Sequence, residues 1–204
     1  MQSSKEKVSY CIGLETGKNL KQQFADMDEE LLLTGFRDAF SGNQPRLPLE
    51  EVRAILTALR QQVETQQKEF LTELSAQNRS ASEAFLTANK GKTGVVVLPS
   101  GLQYEVLATG EGASPKALNV VTAHYRGTFI DGRVFDSSYE RGEPAQFPLT
   151  RVIPGWSEAL QLMKVGDKWK IFLPPYLAYG EVGFGREIGP NMALVFEIEL
   201  LGIQ

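Results

Sequence analysis

The sequence predicts an α+β protein: an N-terminal all-helical module with a long connecting helix, then an antiparallel β-sheet wrapped around one short helix. Up to residue 90 of the 204-residue chain, apolar residues recur at helical spacings and strand signals are few. From residue 92 onward, short alternating or β-branched runs are separated by glycine and proline turn signals. We therefore expect a helical module at residues 1–46, a connecting helix at 47–90 and a sheet domain at 91–204.

The first 46 residues predict two helices whose apolar faces need a partner. In residues 8–20, Gly13 and Gly17 lie four apart, which fits either close helix packing or a loose helix weakened by glycine. Asp26 and Glu29 have capping-box spacing before a second apolar stripe, and Gly42 suits its end. Two helices of this size cannot bury both apolar faces alone. Another part of the chain or a second copy must cover them.

A long third helix is predicted after Pro48, because no proline or glycine occurs from Leu49 to Asn89. Its apolar stripe is strong only as far as Val63. The largely polar stretch that follows is typical of a solvent-exposed connecting rod. Two helices broken near residues 78–80 are the alternative.

The C-terminal part of the chain predicts a small antiparallel sheet. Strand patterns recur at residues 95–98, 102–107, 120–130, 133–136, 168–175 and 193–201. The dipeptide Asp131-Gly132 is a strong hairpin signal. One short helix is predicted at 157–163, with Pro154 suited to its first turn.

Charge and composition narrow the function classes. The net charge is −4, and it divides equally between residues 1–90 and 91–204, so no clustered basic surface for nucleic acid is expected. Cys11 is the only cysteine, so cysteine usage does not reveal the redox compartment. No run approaches the roughly 20 apolar residues of a membrane span, and the start lacks the apolar run of a signal peptide. We expect a cytoplasmic protein; a mature periplasmic or cell-surface form lacking its signal peptide is the alternative.

The usual catalytic clusters are missing from the sequence. His124 is the only histidine, and no second histidine or cysteine lies near it to complete a metal site. A serine hydrolase would need this same histidine, and no nucleophile elbow is recognisable. We therefore expect no metal and no cofactor.

Six aromatic residues remain, spread over separate predicted strands and turns: Tyr125, Phe135, Phe147, Trp156, Tyr179 and Phe196. They form either ordinary core or the walls of a ligand pocket. Asp136 favours the pocket, because it follows Phe135 within an inward-facing run and a buried carboxylate needs hydrogen-bond partners. Tyr125 and Arg141 are the candidate partners.

Four segments, in order and with normal spacing, resemble the FKBP-type peptidyl-prolyl cis–trans isomerases: VFDSSYERGEPAQF (134–147), RVIPGW (151–156), LAYGE (177–181) and ALVFEIELL (193–201). The match runs from about residue 94 to the C-terminus. The preceding helices resemble, by layout, the macrophage infectivity potentiator (Mip) group. That resemblance implies a homodimer formed through the N-terminal helices.

The resemblance also implies a role for each pocket residue. Trp156 matches the pocket floor, while the Tyr179 hydroxyl and the Ile153 backbone N–H match the donors that meet a substrate carbonyl. The implied catalytic residues are Asp136, Tyr179, Tyr125, Ile153 and Trp156. The implied substrate-binding residues are Phe135, Phe147, Val152, Arg141, Ile188 and Phe196.

Three departures from single-domain eukaryotic members are expected to alter substrate preference and the mobility of the flap over the pocket. Ala145 and Phe184 stand where those members have phenylalanine and histidine, and Gly189-Pro190 stands where two prolines are common. The implied activity is accelerated Xaa-Pro isomerisation in unfolded or flexible proline-containing polypeptides, inhibited by macrolides such as rapamycin. A chaperone or holdase that binds proline segments with little turnover is the alternative.

Overall fold

The computed structural model of the chain describes residues 3–24 and 26–204. The chain divides into two compact units, Met1–Val63 and Glu64–Gln204. The first helix, α1, spans Ser4–Gln23 and extends the predicted helix at both ends. It begins with a capping box, in which Ser3 Oγ accepts a hydrogen bond from the Glu6 N–H at 3.2 Å. A Cβ built on Gly13 or Gly17 would have no described neighbour within 4 Å, so close packing on this face is not made within the described chain.

The second helix, α2, spans Glu29–Ser41. The predicted cap at Asp26 is wrong by two residues: the cap is Asp28, whose Oδ1 accepts a hydrogen bond from the Leu31 N–H at 2.9 Å. The predicted end is confirmed, because Gly42 adopts the left-handed conformation that closes a helix, with φ of 68°.

No described residue of the N-terminal unit is buried. Many of its large apolar side chains are exposed: Val8, Tyr10, Ile12, Leu14, Leu31, Leu33, Phe36, Phe40, Leu47, Leu49, Ile55 and Leu56. Phe40, the most exposed of them, keeps 89 % of its surface accessible. The apolar faces that the sequence predicts are thus present and uncovered.

The third helix, α3, spans Leu49–Asn89 without a break, as predicted. The prediction of a solvent-exposed rod beyond Val63 is wrong for one face of the helix. Ser82 and Asn89 are buried, and the Phe85 ring lies 6.1 Å from that of Phe172 in the sheet domain. Small polar side chains on that face dock through hydrogen bonds, which the apolar pattern does not reveal. None of the described helices is long and apolar enough to cross a membrane.

Seven strands form one antiparallel sheet within residues 64–204, all of which the structure describes. They are β1 (Val95–Val97), β2 (Gln103–Ala108), β3 (Val120–Phe129), β4 (Val134–Ser137), β5 (Ala145–Pro148), β6 (Lys168–Leu173) and β7 (Leu194–Ile203). The order is β1-β2-β6-β7-β3-β4, with β5 also paired to β3. All the predicted strands are present, whereas β5 and a one-turn helix, α4 (Ser138–Arg141), were not predicted.

The short helix α5 spans Pro154–Leu162, and Pro154 occupies its first turn as predicted. Because the fixed φ of proline suits that position, the helix begins directly after Ile153. Its buried face includes Trp156, Ala159 and Leu160, which join the core formed by the sheet. Burying a side chain such as Leu160 stabilises the fold by about 1.5–3 kcal/mol, so this face holds α5 against the strands.

Candidate active site

A cavity of about 300 Å³ opens at the aromatic cluster. It is lined by Tyr125, Phe135, Asp136, Phe147, Arg151, Val152, Ile153, Trp156, Tyr179, Phe184 and Phe196. Every residue that the sequence suggested for the pocket lies on this wall except Arg141 and Ile188. Arg151 was not a sequence candidate, and Phe184 was named only as a departure from the family pattern. Segments far apart in the chain are therefore brought around one space.

Trp156 is held by three aromatic neighbours that present their rings edge-on. Its ring centroid lies 5.2 Å from that of Tyr125 and 5.3 Å from those of Phe147 and Phe196, with interplanar angles of 80°, 78° and 87°. Edge-to-face pairs of this kind contribute about 0.5–1.5 kcal/mol each beyond burial. The indole is 4 % exposed, and its N–H has no hydrogen-bond partner among the described residues. The floor of the cavity is thus closely packed and mostly apolar.

The strand register explains why these rings meet. Alternation along β3 directs Tyr125 to the buried side, and Gly127, two residues further on, pairs with Phe196 of β7. A Cβ on Gly127 would lie only 2.6 Å from Phe135 Cζ and 2.9 Å from Phe196 Cε1. Gly127 therefore creates the space for both rings. Sequence reasoning missed it, and the only signal was a glycine inside a strand.

Asp136 forms the polar edge of the cavity through a three-membered network. The Tyr125 hydroxyl donates to Asp136 Oδ2 at 2.5 Å, and Arg141 Nη1 donates to Asp136 Oδ1 at 2.5 Å. Arg141 Nη2 donates to the Tyr125 hydroxyl at 2.7 Å. Both partners suggested by the sequence are thus observed, although Arg141 does not itself line the cavity. The network fixes the Asp136 carboxylate and the Tyr125 ring together.

The network also shifts the pKa values of Tyr125 and Arg141. Burial, and then the hydrogen bond to Asp136, raises the pKa of Tyr125. Hydrogen bonds to Tyr125 and Asp136 raise the pKa of Arg141 above its usual range. Tyr125 is therefore a neutral donor and Arg141 a cation at physiological pH.

Two hydrogen-bond donors on the wall are free to meet a ligand. No described residue accepts a hydrogen bond from the Tyr179 hydroxyl or from the Ile153 backbone N–H. Ile153 precedes the first turn of α5, where backbone N–H groups have no intrahelical acceptor. Burial, and secondarily the charge of Asp136, raises the pKa of Tyr179, which keeps its hydroxyl protonated.

A second cavity, of about 360 Å³, adjoins the first and shares the side chains of Phe135, Asp136, Tyr179 and Phe184 with it. Ile188 lies on this second wall rather than on the first. The Phe184 ring stacks on that of Tyr179, with centroids 4.9 Å apart at 21°.

His124 does not line either cavity. The alternation of β3 directs it away from Tyr125, and its Nδ1 lies 2.9 Å from Ser138 Oγ while its ring stacks on Tyr139. No group of three or more metal-ligating side chains occurs among residues 3–24 and 26–204.

Comparison with known proteins decides the family. A sequence profile described as FKBP-type peptidyl-prolyl cis-trans isomerase matches residues 111–201, and one for the domain amino terminal to such isomerases matches residues 5–106. The chain is 43 % identical over 204 residues to the peptidyl-prolyl cis-trans isomerase Mip of Coxiella burnetii, covering 100 % of this chain and 89 % of that one. The chain belongs to the FKBP-type peptidyl-prolyl cis-trans isomerases.

Two further relatives match this FKBP-type protein along its whole length. It is 43 % identical over 202 residues to the outer membrane protein MIP of Legionella longbeachae, covering 99 % of this chain and 87 % of the relative. The crystal structure of FkpA from Escherichia coli matches with a TM-score of 0.76 at 35 % identity, covering 100 % of this chain and 98 % of that one. The resemblance and fold class expected from the sequence are confirmed. The comparisons do not support the expected cytoplasmic location, since one relative is named an outer membrane protein.

Of the departures from the eukaryotic pattern, only Phe184 lines the FKBP cavity. Ala145 belongs to β5 and packs half-buried against the core, while Phe184 is 63 % exposed at the cavity mouth. Gly189 and Pro190 belong to the segment that leads into β7. None of them alters the Trp156 floor, so the central cavity keeps its aromatic walls.

Proposed function

We propose that the protein accelerates cis–trans isomerisation of Xaa-Pro bonds in unfolded or flexible polypeptides, with the cavity above Trp156 as the active site. The observation that carries this proposal is an apolar cavity of about 300 Å³ with two unpaired donors, in a chain of the FKBP family. A proline ring is a compact apolar group that such a space suits. The carbonyl before the proline would meet the donors.

The chemistry requires no covalent step. Amide resonance makes the rotation barrier about 18–20 kcal/mol, so an uncatalysed Xaa-Pro bond takes tens of seconds or more to isomerise. The enzyme needs only to bind the twisted amide more tightly than the planar one. Resonance is lost in the twisted state, and a less polar surrounding stabilises that state relative to the planar form. An acceleration of about 10⁴-fold requires about 5–6 kcal/mol.

Each wall of the cavity has a part in this mechanism. Trp156 packs against the proline ring and holds it while the preceding carbonyl turns. The Ile153 N–H and the Tyr179 hydroxyl bind that carbonyl where it arrives, as preorganised donors. Asp136, fixed by Tyr125 and Arg141, keeps the polar edge of the cavity in one position. Water is excluded around the proline ring by Phe135, Phe147, Val152 and Phe196. Ile188 lies beside the substrate residues that flank the proline.

The test is the cis-to-trans rate of a short Leu-Pro or Phe-Pro peptide, with and without rapamycin. We expect a large acceleration that rapamycin abolishes, because the macrolide would occupy the same cavity. A folded sample that binds the peptide without accelerating isomerisation would support the chaperone alternative. Acceleration that rapamycin leaves untouched would place the activity outside this cavity.

We also infer that the chain forms a homodimer through its N-terminal helices. The uncovered apolar side chains of α1 and α2 support this, since a second copy would bury faces that are exposed within one chain. The chain mass is 22.6 kDa, so light scattering should report about 45 kDa. Phe40→Glu, which puts a charge on an 89 % exposed apolar position, should shift the mass toward that of the monomer. A wild-type mass of one chain would contradict the inference.

A periplasmic or cell-surface location fits the name of the Legionella relative better than the cytoplasm does. Fractionation of the native cells with an antibody to this chain tests that location. Recovery in the cytoplasmic fraction would reject it.

A further inference from the structure

The segment of residues 180–190, here called the 180–190 loop, has one side on the cavity. Its base is closed by a hydrogen bond from the Asn191 N–H to the Gly180 carbonyl at 2.8 Å. Within it, Phe184 and Ile188 exchange two backbone hydrogen bonds, of 2.8 and 3.2 Å. Phe184 stacks on Tyr179, and Ile188 is 8 % exposed and joins the core. The position of this loop therefore sets the position of the cavity mouth.

The other side of the loop base rests on α3, and Ser82 is the main contact. The Ser82 hydroxyl donates to the Asn191 carbonyl at 2.9 Å and accepts from the Ala193 N–H at 2.7 Å. Ser82 is 2 % exposed, so these bonds are not exchanged with water. One side chain of α3 thus satisfies two backbone groups in the residues that directly follow the 180–190 loop.

Asn191 needs such support because its backbone is unusual. Its φ of 55° lies in the left-handed region, which asparagine tolerates better than most residues but at a cost relative to ordinary conformations. Its side-chain amide donates to Ser75 Oγ on α3 at 2.7 Å. Ser75 and Ser82 therefore hold the side chain and the carbonyl of the same strained residue.

Asn78 makes the third contact of this kind. Its Nδ2 donates to the Pro190 carbonyl at 2.9 Å, and a Cβ on Gly189 would lie 3.1 Å from the same nitrogen. Ser75, Asn78 and Ser82 are spaced by three and four residues, which places them on one face of α3. A neighbouring ion pair between Arg79 and Glu181 is exposed at both ends and contributes little.

We propose that Ser82 and Asn78 are positioning residues for the isomerase: by fixing the end of the 180–190 loop they keep Phe184 and Ile188 in place for substrate. This inference rests on the proposed function. If the loop is ordered in only a fraction of molecules, the apparent affinity falls by that fraction while the bound complex reacts as before. Loss of an anchor should therefore raise KM and leave kcat unchanged. Loss of folded protein would instead lower the apparent kcat and leave KM unchanged.

The experiment compares Ser82→Ala and Asn78→Ala in the full chain with Ser80→Ala. Ser80 is an exposed residue of the same helix and provides a matched control for the substitution. For an Xaa-Pro peptide we expect Ser82→Ala to raise KM about three- to tenfold with kcat within about twofold. Asn78→Ala should act in the same direction with a smaller effect, and Ser80→Ala should match the wild type. If Ser82→Ala folds poorly, the half-buried Asn78 carries the test.

Hydrogen exchange gives a readout that does not depend on activity. Amides of residues 182–188 should exchange faster in Ser82→Ala, while those of β3 and β7 keep their wild-type rates. A fall in kcat at unchanged KM would show that Ser82 only supports folding, and unchanged kinetics and exchange would show that the loop does not depend on α3. Either result overturns the proposal. A wild-type chain without isomerase activity would refute the proposed function, whereas the exchange comparison would still test the anchor.

Discussion

Replacing Gly127 by alanine tests whether the cavity depends on the close approach of two rings to β3. The added Cβ would lie 2.6 Å from Phe135 Cζ and 2.9 Å from Phe196 Cε1. Ordinary contact begins at 3.4 Å, so the Phe135 ring must move by about 0.8 Å. Phe196 must also yield, although it packs edge-on against Trp156. Both displacements fall on the cavity wall.

The expected consequence is a loss of activity larger than the loss of stability. Misplacing reacting groups by about 1 Å can cost about 100-fold in rate, so we expect kcat/KM to fall by about that factor. Overpacking of this size costs about 1–3 kcal/mol of unfolding free energy, which leaves a typical domain folded. Displacing Phe135 and Phe196 is thus expected to lower activity more than it lowers stability.

The assay combines the isomerisation rate of an Xaa-Pro peptide with denaturant unfolding of the same sample. Gly202→Ala is the matched control: Gly202 lies in β7 opposite Thr122 of β3, and a Cβ there would meet nothing within 4 Å. That variant should retain wild-type activity. A Gly127→Ala protein as active as the wild type would refute the reasoning, because the cavity would then tolerate the displaced rings.

Three variants of cavity residues and one variant outside the cavity give further predictions. Trp156→Ala should abolish measurable isomerisation and lower the unfolding free energy by about 3–5 kcal/mol, and Asp136→Leu should weaken catalysis in a protein that circular dichroism shows to be folded. Tyr179→Phe should lower kcat/KM by about 10- to 100-fold, since it removes one carbonyl donor, while its unfolding midpoint stays near that of the wild type. Burial, and then the hydrogen bond to Glu199, raise the pKa of Tyr139 from 10.0 to about 12. The contribution of this tyrosine to stability is therefore complete below pH 10 and is lost as pH rises through about 12. In urea unfolding, the unfolding free energy of Tyr139→Phe should fall less steeply with alkaline pH than that of the wild type.

The features that the sequence predicted well are those encoded by local periodicity. The strand pattern at residues 120–130 predicted β3, and helix-breaking residues bounded α3 at Leu49 and Asn89. The pairing of Asp136 with Arg141 was also predictable, because a carboxylate among aromatic residues needs a partner. In each case the relevant interaction lies within one element or between near neighbours in the chain.

Gly127 could not be assigned in advance because its role depends on a register between strands. Its partner Phe196 is distant in sequence and approaches only when β7 pairs with β3. The same holds for β5, whose four residues Ala145–Pro148 gain their strand geometry from pairing with β3 rather than from alternation of their own. Contacts of this kind are set by tertiary pairing, which overrides local pattern.

The error over α3 has a more specific physical cause. Helix patterns are read from apolar stripes, yet the face that docks carries Ser75, Asn78, Ser82 and Asn89, which a hydropathy pattern counts as solvent-facing. Ser75 and Asn89 bond the side chains of Asn191 and Gln103. Asn78 and Ser82 instead dock where the opposing surface is backbone, because each meets a carbonyl or an N–H that would otherwise be buried unpaired. The end of the 180–190 loop is such a surface. The spacing of Ser75, Asn78 and Ser82 by three and four positions was therefore informative, but only in combination with a loop end that these residues can bond.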